Sequence, residues 1–495
     1  MTESSTSSQA FRSSSAAPAM TPLFVDLDGT LITTDCMAES LIGVVRKSPR
    51  RVPEVVRAWR AEGRPELKRL AAEISGLDVA TLPYRPETLD LIRQAREAGR
   101  PVVLASASHR DVVRAVADHL GLFDDVLASA DGVNLKSEKK LAAIRAWCAE
   151  RGYERFAYAG DAHADLAVWP GCHEVIAVAP SGRLKQAMAR EGLRPRVIGD
   201  GRLRWSEVWK LIRPYQWSKN VLVFLPAVIA HDFMDWDVLL AVTVAFVAMS
   251  LLASAVYVVN DLLDVEADRH HRSKKERPFA AGTVPLAAGS WIAGLLGVLG
   301  LGLAVAFLPW AAVGALLTYL VLTHLYSFWL KRKPMVDVLV LASLYTLRVL
   351  VGAWSFDHEP SKWLLAFSMF FFLSLAFAKR YTEVLRLEND ADADVSGRGY
   401  KRPDIALIRA MGPSTGFLSV LVLAMFIADA SPIWYQRPSL LYLNCVLLLY
   451  WVARVWLIAH RDELHDDPLV FALRDMTSRM VGLGALVIFV LASGA

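Results

Sequence analysis

Residues 256–282 read VYVVNDLLDVEADRHHRSKKERPFAAG, an apolar run that turns abruptly into acids and then into bases. Three carboxylates, Asp261, Asp264 and Asp268, follow one another at intervals of three and four residues, and Asn260 precedes the first. Lys, Arg and His side chains come directly after them. The stretch predicts a helix that leaves a lipid bilayer through a cluster of acids, because unpaired charge inside the bilayer is costly.

The two ends of the chain differ in composition. Residues 1–205 carry charge at the density of a soluble protein and show α/β alternation. After residue 220, apolar runs of roughly 20 residues recur, which is the length needed to cross a bilayer. The formal net charge of +4 gives no support to nucleic-acid binding. The four cysteines have no CxxC spacing and indicate neither a disulfide framework nor a zinc site. Residues 1–20, rich in Ser and Ala, are expected to be a disordered tail.

The apolar runs predict an all-α membrane domain of about nine transmembrane helices. They lie at residues 220–234, 239–260, 287–306, 308–330, 335–354, 363–378, 407–429, 438–455 and 478–494. The connecting loops alternate between loops rich in Lys and Arg and loops nearly free of both. Because basic loops stay in the cytoplasm, we expect a multi-pass protein of the cytoplasmic (inner) membrane. Its acidic motif and its N-terminal half would then both face the cytoplasm.

The three carboxylates fall on one face if the helix continues through them. Neighbouring carboxylates repel one another unless a cation neutralises them, and Mg²⁺ takes oxygen ligands and is commonly shared with substrate phosphates. Lys274 and Arg277, just behind the acids, would then hold phosphate oxygens that the metal leaves free. The alternative is a solvated loop whose acids pair with the adjacent Lys and Arg. Desolvation at the end of an apolar span favours the metal–diphosphate site.

Further polar residues of the membrane half are candidates for binding substrate or phosphate: Lys219, Tyr326, Lys331, Asp337, Arg348, Lys379 and Arg380. Asp337 enters an otherwise apolar segment and is a functional candidate on that ground. Arg348, further along the same segment, either binds a ligand or pairs with Asp337. The cations at the ends of spans have a simpler alternative, in which their long side chains merely reach the membrane interface.

The segment NDLLDVEAD at 260–268 matches the signature NDxxDxxxD, and RP and AAG follow at 277–278 and 280–282. These motifs resemble the UbiA superfamily of intramembrane prenyltransferases over about residues 205–495. The resemblance implies a diphosphate held through one or two Mg²⁺ ions on acid-rich cytoplasmic loops. Asp261, Asp264 and Asp268 would hold the metal, and Asn260 would orient the first ligand.

Within that superfamily the chain looks most similar to decaprenyl-phosphate phosphoribosyltransferases, on the segments RPYQWSKN, YSFWLKRKPMVDV, LRVLVGA and FAKRYTE. The second acidic motif of aromatic prenyltransferases is usually DxxxD, whereas here Leu341 stands four residues after Asp337. The resemblance implies Mg²⁺-dependent transfer of a phosphoribosyl group from phosphoribosyl pyrophosphate to a polyprenyl phosphate. Asp261 and Asp264 would be catalytic, and the cations named above would bind the phosphates.

Three strand patterns in the N-terminal half end in polar residues: LFVDLDGTL at 23–31, VVLASAS at 102–108 and FAYAGDAHADLAVW at 156–169. The polar residues at their ends are Asp26, Asp28, Thr30, Ser106, Asp161 and Asp165. Strands that alternate with helical stretches predict a Rossmann-type parallel sheet with the site at the carboxyl ends of the strands. The helical stretch between the first two motifs predicts a small cap.

With NLKSEKKLAAI at 134–144, these motifs resemble the haloacid dehalogenase superfamily, near its phosphoserine-phosphatase-like members, over about residues 20–195. The resemblance implies that Asp26 is the nucleophile for a phosphoryl group and Asp28 the general acid/base. Thr30 would support the turn and Ser106 would bind phosphate. The implied Mg²⁺ ligands are Asp26, Asp28, Asp161 and Asp165.

A carboxylate that attacks a phosphate needs its own charge neutralised, which requires a lysine as well as the metal. Lys140 best fits the family spacing, with Lys136 and Lys139 as close rivals.

The sequence thus predicts a haloacid dehalogenase-like phosphatase domain at 21–198, a linker or amphipathic segment at 199–219 and a transmembrane transferase domain at 220–495. The membrane domain would make polyprenyl-phosphoryl 5-phosphoribose, and the soluble domain would remove the 5-phosphate. The expected partners are a polyprenyl phosphate, phosphoribosyl pyrophosphate and membrane lipids, and a homo-oligomer is compatible with the sequence. The alternative is transfer of a polyprenyl chain to an aromatic or quinone acceptor, beside a soluble domain that is a scaffold or acts on another phosphomonoester.

Overall fold

The computed structural model describes residues 21–129, 134–271, 273–386, 398–429, 435–464 and 467–493. The predicted tail, 1–20, lies outside the described residues. Contacts divide the chain into two compact units. The first contains the described residues up to Val208 together with Asp261–Gly289. The second contains Trp209–Asn260 and the described residues from Ser290 onward. The acidic motif therefore belongs, by its contacts, to the same unit as the N-terminal half.

The first unit is built around a six-stranded parallel sheet with the strand order β3-β2-β1-β4-β5-β6. The strands are β1 (Leu23–Val25), β2 (Val102–His109), β3 (Asp125–Ser129), β4 (Ala157–Gly160), β5 (Glu174–Val178) and β6 (Arg196–Ile198). Leu23 of β1 lies opposite Val102 of β2 and Ala157 of β4, so β1 is central. The predicted α/β fold with a parallel sheet is confirmed.

The helices of this part are α1 (Cys36–Lys47), α2 (Val52–Glu62), α3 (Arg64–Ser75), α4 (Pro86–Glu97), α5 (Arg110–Leu120), α6 (Glu138–Glu150) and α7 (Gly182–Arg190). Side chains that alternate along β1 build a core on each face of the sheet, as the two-residue period of a strand requires. Leu23 and Val25 join the core that contains Ile92 of α4. Phe24 joins the opposite core with Trp147 of α6.

The helices α1, α2 and α3 lie between β1 and β2 in the chain and form the cap predicted from their helical pattern. The start of α1 is fixed by Asp35, whose carboxylate accepts hydrogen bonds from the backbone N–H groups of Met37 and Ala38. Such N-caps satisfy donors that the first turn of a helix leaves unpaired. The first cap helix therefore begins a few residues after the DLDGT motif.

The remaining helices are α8 (Trp205–Ile212), α9 (Leu225–Ile229), α10 (Trp236–Leu263), α11 (Val265–His270), α12 (Leu286–Phe307), α13 (Trp310–Phe328), α14 (Val336–Trp354), α15 (Lys362–Leu385), α16 (Ile405–Ala428), α17 (Tyr442–His460), α18 (Pro468–Arg474) and α19 (Met476–Ser493). Among the described residues, the elements long and apolar enough to cross a membrane are eight: α10, α12 to α17, and α19. That number is close to the predicted nine.

The predicted span at 220–234 is not one long helix. It forms the end of a 3-10 stretch, Pro214–Phe224, followed by the five-residue α9. Pro226 lies in the first turn of α9, and proline cannot donate the backbone hydrogen bond that would continue a helix through it. Hydropathy alone could not distinguish this broken segment from a span.

Large apolar side chains are exposed on the long helices, among them Trp291, Val298 and Trp310. A soluble protein rarely exposes apolar surface on this scale, whereas lipid tails cover it without cost. The long apolar helices and their exposed apolar faces identify an integral membrane protein.

Candidate functional sites

The carboxyl ends of three neighbouring strands bring the predicted soluble site together. Asp26 follows β1, Ser106 lies in β2, and Asp161 follows β4. Because these strands are parallel and adjacent, their carboxyl ends meet at one edge of the sheet. Residues far apart in the chain therefore share one site.

Asp26 is buried, and its Oδ2 lies 2.8 Å from Nζ of Lys140 on α6. Lys140 also donates to the hydroxyl of Tyr158 at 2.8 Å, and that hydroxyl donates to Asp165 at 2.7 Å. Of the three rival lysines, Lys140 is thus the one placed against the predicted nucleophile. Sequence reasoning missed Tyr158, which follows the pattern of an ordinary core aromatic in β4.

The other two carboxylates are held by short contacts. Thr30 donates to Oδ1 of Asp161 at 2.9 Å. Asp165 accepts from the backbone N–H groups of Asp161 and Ala162 at 3.1 and 3.0 Å. Gly29 has a φ of +75°, and a Cβ there would come within 2.1 Å of Asp161. Glycine is therefore required at this turn of the DLDGT motif.

Asp28 lies at the start of the cap rather than among these carboxylates. Its Oδ1 accepts from the backbone N–H of Cys36 at 2.7 Å, and its Oδ2 accepts from the Ser108 hydroxyl at 2.5 Å. Ser106 is fully buried, and its hydroxyl accepts from the Ser108 N–H. The sequence pattern predicted a role for Ser106 only. The structure shows that Ser108 orients Asp28, the predicted acid/base.

Asp26, Asp161 and Asp165 each offer a carboxylate oxygen, and these oxygens lie within 4.8 Å of one another. Burial, with the charges of Asp26 and Asp165, raises the pKa of Asp161 to about 8. Burial likewise raises the pKa of Asp26 to about 6, although Lys140 opposes it. One lysine does not balance three carboxylates, of which Asp26 and Asp165 are buried and Asp161 is half-buried, so the donor set fits Mg²⁺, a hard cation that prefers oxygen ligands.

The acidic motif of the first unit has a different geometry. α10 ends at Leu263 and α11 begins at Val265, so the helix is interrupted at Asp264. The three carboxylates therefore do not lie along one continuous helix, which the expected shared face assumed. Asp261 and Asp268 are buried and converge on Nη1 of Arg277, at 3.1 and 2.7 Å. Arg277 thus pairs with the acids, as the alternative interpretation expected, but the two carboxylates are buried rather than solvated.

The motif still offers the right chemistry for a magnesium ion, since three carboxylates lie within eight residues. The guanidinium of Arg277 binds two of these carboxylates, so a divalent cation would have to exchange with its hydrogen bonds. That exchange would leave Arg277 available to bind a phosphate. Lys274 lies half-buried in the 3-10 turn Lys274–Glu276, three residues before Arg277. Asn260 lies half-buried in the last two turns of α10.

In the second unit, Lys219 and Lys379 converge on Asp467, with Nζ–O distances of 3.1 and 3.0 Å. The hydroxyl of Tyr345 lies 3.5 Å from the same carboxylate. Lys379 and Lys219 therefore do more than reach the membrane interface. Asp467 was not foreseen, because it stands in a loop with several other acids and 88 residues from Lys379.

Arg348 is buried and does not pair with Asp337. It donates to Oδ1 of Asn220 at 3.0 Å, to the Leu344 carbonyl at 2.5 Å and to the Tyr319 hydroxyl at 3.2 Å. All three acceptors are neutral, so the positive charge of Arg348 is free of a direct carboxylate partner among these contacts. This arrangement suits a guanidinium that meets an anion from a substrate.

Asp337 is fully buried and belongs to another cluster. It accepts from Nε of Arg380 at 2.5 Å and from the Tyr400 hydroxyl at 2.6 Å. Arg380 also donates to Tyr326 at 3.1 Å and pairs with Glu383. The donors of Arg380 are thus directed at protein groups. Lys331 lies half-buried in the 3-10 turn Leu330–Arg332.

Comparison with known proteins agrees with these features. The model of the UbiA prenyltransferase family matches residues 221–477, and that of haloacid dehalogenase-like hydrolases matches residues 23–169. The chain belongs to the UbiA prenyltransferase family and carries a haloacid dehalogenase-like domain at its N-terminus. It is therefore an enzyme with a transferase domain and a phosphatase-like domain, and both families typically use Mg²⁺.

Similar proteins extend this assignment. An uncharacterized protein of Sinorhizobium fredii is 37% identical over 95% of this chain and 91% of its own length. The nodulation protein NoeC of Azorhizobium caulinodans is 32% identical over 57% of this chain and 94% of its own length. Decaprenyl-phosphate phosphoribosyltransferase of Mycobacterium tuberculosis is 41% identical over 36% of this chain and 60% of its own length.

Proposed function

We propose that the membrane domain transfers a phosphoribosyl group from phosphoribosyl pyrophosphate to a polyprenyl phosphate. The observation that carries this proposal is that Asp337 has no partner carboxylate four residues later and is itself buried in contacts with protein groups. The position four residues later is Leu341, and Asp337 itself is fully buried against Arg380 and Tyr400. Asp337 therefore lacks the second carboxylate of a DxxxD pair, which would bind metal for an allylic diphosphate. The similarity to a decaprenyl-phosphate phosphoribosyltransferase supports transfer of a phosphoribosyl group.

The reaction breaks the bond between C1 of the ribose and the pyrophosphate oxygen, and a phosphate oxygen of the lipid forms the new bond to C1. Pyrophosphate leaves with both electrons of the broken bond, and positive charge develops on the ribose as an oxocarbenium ion. A magnesium ion would neutralise the charge on the leaving oxygens. Asp261, Asp264 and Asp268 would hold it, with Asn260 orienting the first ligand.

The cations have complementary roles in this proposal. Arg277 and Lys274 bind oxygens of the leaving pyrophosphate, because charge-assisted hydrogen bonds to phosphate are strong. The phosphate of the lipid acceptor or of the donor is bound by Lys219, Lys379 and Arg348. Arg380 acts through its buried contacts with Asp337 and Tyr326, so we assign it to positioning rather than to direct contact. Lys331 remains a candidate for the phosphates.

The haloacid dehalogenase-like domain would hydrolyse the 5-phosphate of the product. Asp26 attacks the phosphorus and forms a phospho-aspartyl intermediate, while Asp28 protonates the leaving 5-oxygen. Asp28 then takes a proton from the water that releases inorganic phosphate. Lys140, 2.8 Å from Asp26, offsets the negative charge of the nucleophile. A product with one phosphomonoester and a domain built for phosphomonoesters explain why the two are fused.

The proposed enzyme is a multi-pass protein of the inner membrane with both sites on the cytoplasmic side. In this proposal the phosphatase-like domain spans 21–198, the linker or amphipathic segment 199–219 and the transferase domain 220–495. Its product, a lipid-linked ribose, suits the building of a cell-surface polymer.

Asp26→Asn tests the order of the two reactions. Membranes that contain this variant are supplied with labelled phosphoribosyl pyrophosphate and compared with wild-type membranes. We expect the variant to accumulate labelled polyprenyl-phosphoryl 5-phosphoribose, which the wild type converts to the dephosphorylated lipid. If both membranes give the same labelled lipids, the proposed second step is wrong. If instead an allylic diphosphate is consumed with an aromatic acceptor, the proposed transfer is wrong.

A further inference from the structure

The catalytic carboxylates of the haloacid dehalogenase-like domain line a cavity of about 1050 Å³. That volume is at the upper limit for small-molecule sites, which run to roughly 1,000 Å³, and is far more than a phosphate group needs. Part of its wall is formed by residues 281–287, which follow the acidic motif in the chain. A segment from the membrane half of the sequence therefore completes the phosphatase cavity.

Contacts within the first unit fix that segment. Arg269 makes a two-pronged ion pair with Glu39 of α1, at 2.6 and 3.2 Å, and both side chains are almost fully buried. Gly282 has a φ of +68°, and a Cβ there would lie 1.9 Å from the Thr33 hydroxyl. The Thr283 hydroxyl donates to Glu207 at 3.1 Å. The wall is thus packed tightly enough that one added methyl group would displace it.

The wall is apolar and leads into a membrane helix. Pro285, Leu286 and Ala287 line the cavity, and Leu286 is the first residue of α12, one of the helices suited to cross a membrane. Leu203, in the segment between β6 and α8, also lines the cavity, and its side chain is exposed. Trp205, two residues later, is 84% exposed. Tryptophan is enriched at the membrane–water interface, so this part of the cavity belongs near the lipid headgroups.

Cations other than Lys140 also line the cavity, among them Arg85, Arg202 and Arg204. Nε of Arg85 is buried and has no hydrogen-bond partner among the described residues, although Nη2 donates to the Gly29 carbonyl. A buried donor without a partner is costly, commonly about 1–3 kcal/mol, unless a ligand satisfies it. The cavity therefore offers positive charge for a second anion beyond the phosphate that Asp26 attacks.

We propose that this cavity takes a lipid-linked substrate that carries two phosphates: a phosphomonoester at Asp26 and a lipid phosphodiester at the arginines. Leu203 and residues 285–287 contact the first isoprene units of the lipid at the membrane interface. Water hydrolyses the monoester, and the phosphodiester stays intact. The identity of this substrate rests on the proposed function, whose product carries both phosphates on one lipid-linked ribose.

Three synthetic phosphomonoesters test this with full-length protein in detergent micelles: p-nitrophenyl phosphate, methyl-phosphoryl ribose 5-phosphate and polyprenyl-phosphoryl ribose 5-phosphate. Release of inorganic phosphate gives kcat/KM for each. We expect the polyprenyl ester to exceed the methyl ester by at least about tenfold, since even one or two methylene groups in an apolar pocket discriminate this much.

Micelles concentrate any lipid, so variants decide the result. Leu203→Asp and Ala287→Asp should bring the ratio of polyprenyl to methyl ester close to one. Val56→Asp on α2, an exposed apolar residue outside the cavity lining, should preserve that ratio. Arg204→Gln should lower hydrolysis of both ribose esters relative to p-nitrophenyl phosphate, and Arg190→Gln should not.

The proposal is overturned if the two ribose esters are hydrolysed equally, if Leu203→Asp and Ala287→Asp leave the ratio unchanged, or if no ester releases phosphate. Failure of the proposed transferase reaction would look different. In that case labelled phosphoribosyl pyrophosphate would not label lipid, while the polyprenyl ester would still be hydrolysed in preference to the methyl ester.

Discussion

Two groups of carboxylates in the first unit differ in how their charge is balanced. At the end of the sheet, Asp26, Asp161 and Asp165 converge within 4.8 Å around one lysine. In the acidic motif, Asp261 and Asp268 share the guanidinium of Arg277 instead. In the first group one lysine faces three carboxylates, whereas in the second group both buried carboxylates already share an ion pair with one arginine.

Because their charge is balanced differently, the two groups would bind a metal ion in different ways. The carboxylates Asp26, Asp161 and Asp165 fit a divalent cation, whose positive charge would offset the cost of their burial and of their mutual repulsion. If the acidic motif binds a metal ion as proposed, the metal would replace Arg277 as the partner of Asp261 and Asp268, and Arg277 would then be available for a phosphate. We call Asp26, Asp161 and Asp165 the rigid centre. Asp261 and Asp268 are called the exchangeable centre, because a metal ion there would replace Arg277.

The largest expected effect is on the rigid centre. Asp26→Asn removes the nucleophile, and we expect hydrolysis of p-nitrophenyl phosphate to fall by at least about a thousandfold. Asp90→Asn, an exposed aspartate on α4, is the matched control and should retain activity. Phosphate release by Asp26→Asn at the wild-type rate would mean that this carboxylate group is a scaffold.

The pH dependence of metal binding should be steep at the same centre. With the pKa of Asp161 raised to about 8 and that of Asp26 raised to about 6, protons compete with Mg²⁺ as the pH falls. For Asp161 alone, lowering the pH from 8 to 6 should weaken Mg²⁺ binding on the order of fiftyfold.

The raised pKa values of Asp26 and Asp161 also make the stability of the metal-free fold depend on pH. Above about pH 4 an unfolded chain has lost these protons, whereas the folded metal-free domain retains them up to the raised pKa values. These two groups therefore make the metal-free fold less stable as the pH rises toward 8, and Mg²⁺ should reverse this loss. Thermal unfolding with and without Mg²⁺ measures it. A Mg²⁺-induced shift in Tm that is equal at pH 6 and pH 8 would contradict the raised pKa values.

These features could be predicted to very different extents from the sequence. The strands, the DLDGT turn and the long apolar helices follow from local patterns, and so does the family of each half. The docking of Arg269 on Glu39 does not, because it joins residues 230 positions apart with no periodic signal. Asp467 and Tyr158 were missed for a similar reason, since one is an acid among acids and the other looks like a core aromatic.

The exchangeable centre is tested by Arg277→Gln. Without the guanidinium, Asp261 and Asp268 should bind Mn²⁺, used as a probe, about tenfold more tightly, because no ion pair has to be broken first. Transfer should nevertheless slow, since a phosphate ligand is lost. An Asp161→Asn background removes the contribution of the soluble centre, and Lys275→Gln, exposed in the same turn, is the control. Unchanged Mn²⁺ affinity would show that Arg277 does not compete with the metal.

The smallest effect is expected at the edge of the docked segment. Lys47 pairs with Glu266 at 3.0 Å, but both side chains are about one-third exposed. Lys47→Gln should therefore change the free energy of unfolding by less than about 1 kcal/mol. Glu39→Gln, which removes one partner of a buried pair, should cost several times more. Chemical denaturation in detergent compares the two, and equal losses would contradict the burial of Arg269.

The most direct measurement combines the purified full-length protein, a polyprenyl phosphate and phosphoribosyl pyrophosphate labelled in the ribose. With Mg²⁺ present, we predict that label enters the lipid and that pyrophosphate is released in equal amount. Excess chelator or Asp261→Ala should abolish both. Label that enters lipid undiminished under either condition would contradict a metal-dependent transfer at the acidic motif, and the absence of labelled lipid with the wild type would contradict phosphoribosyl transfer itself.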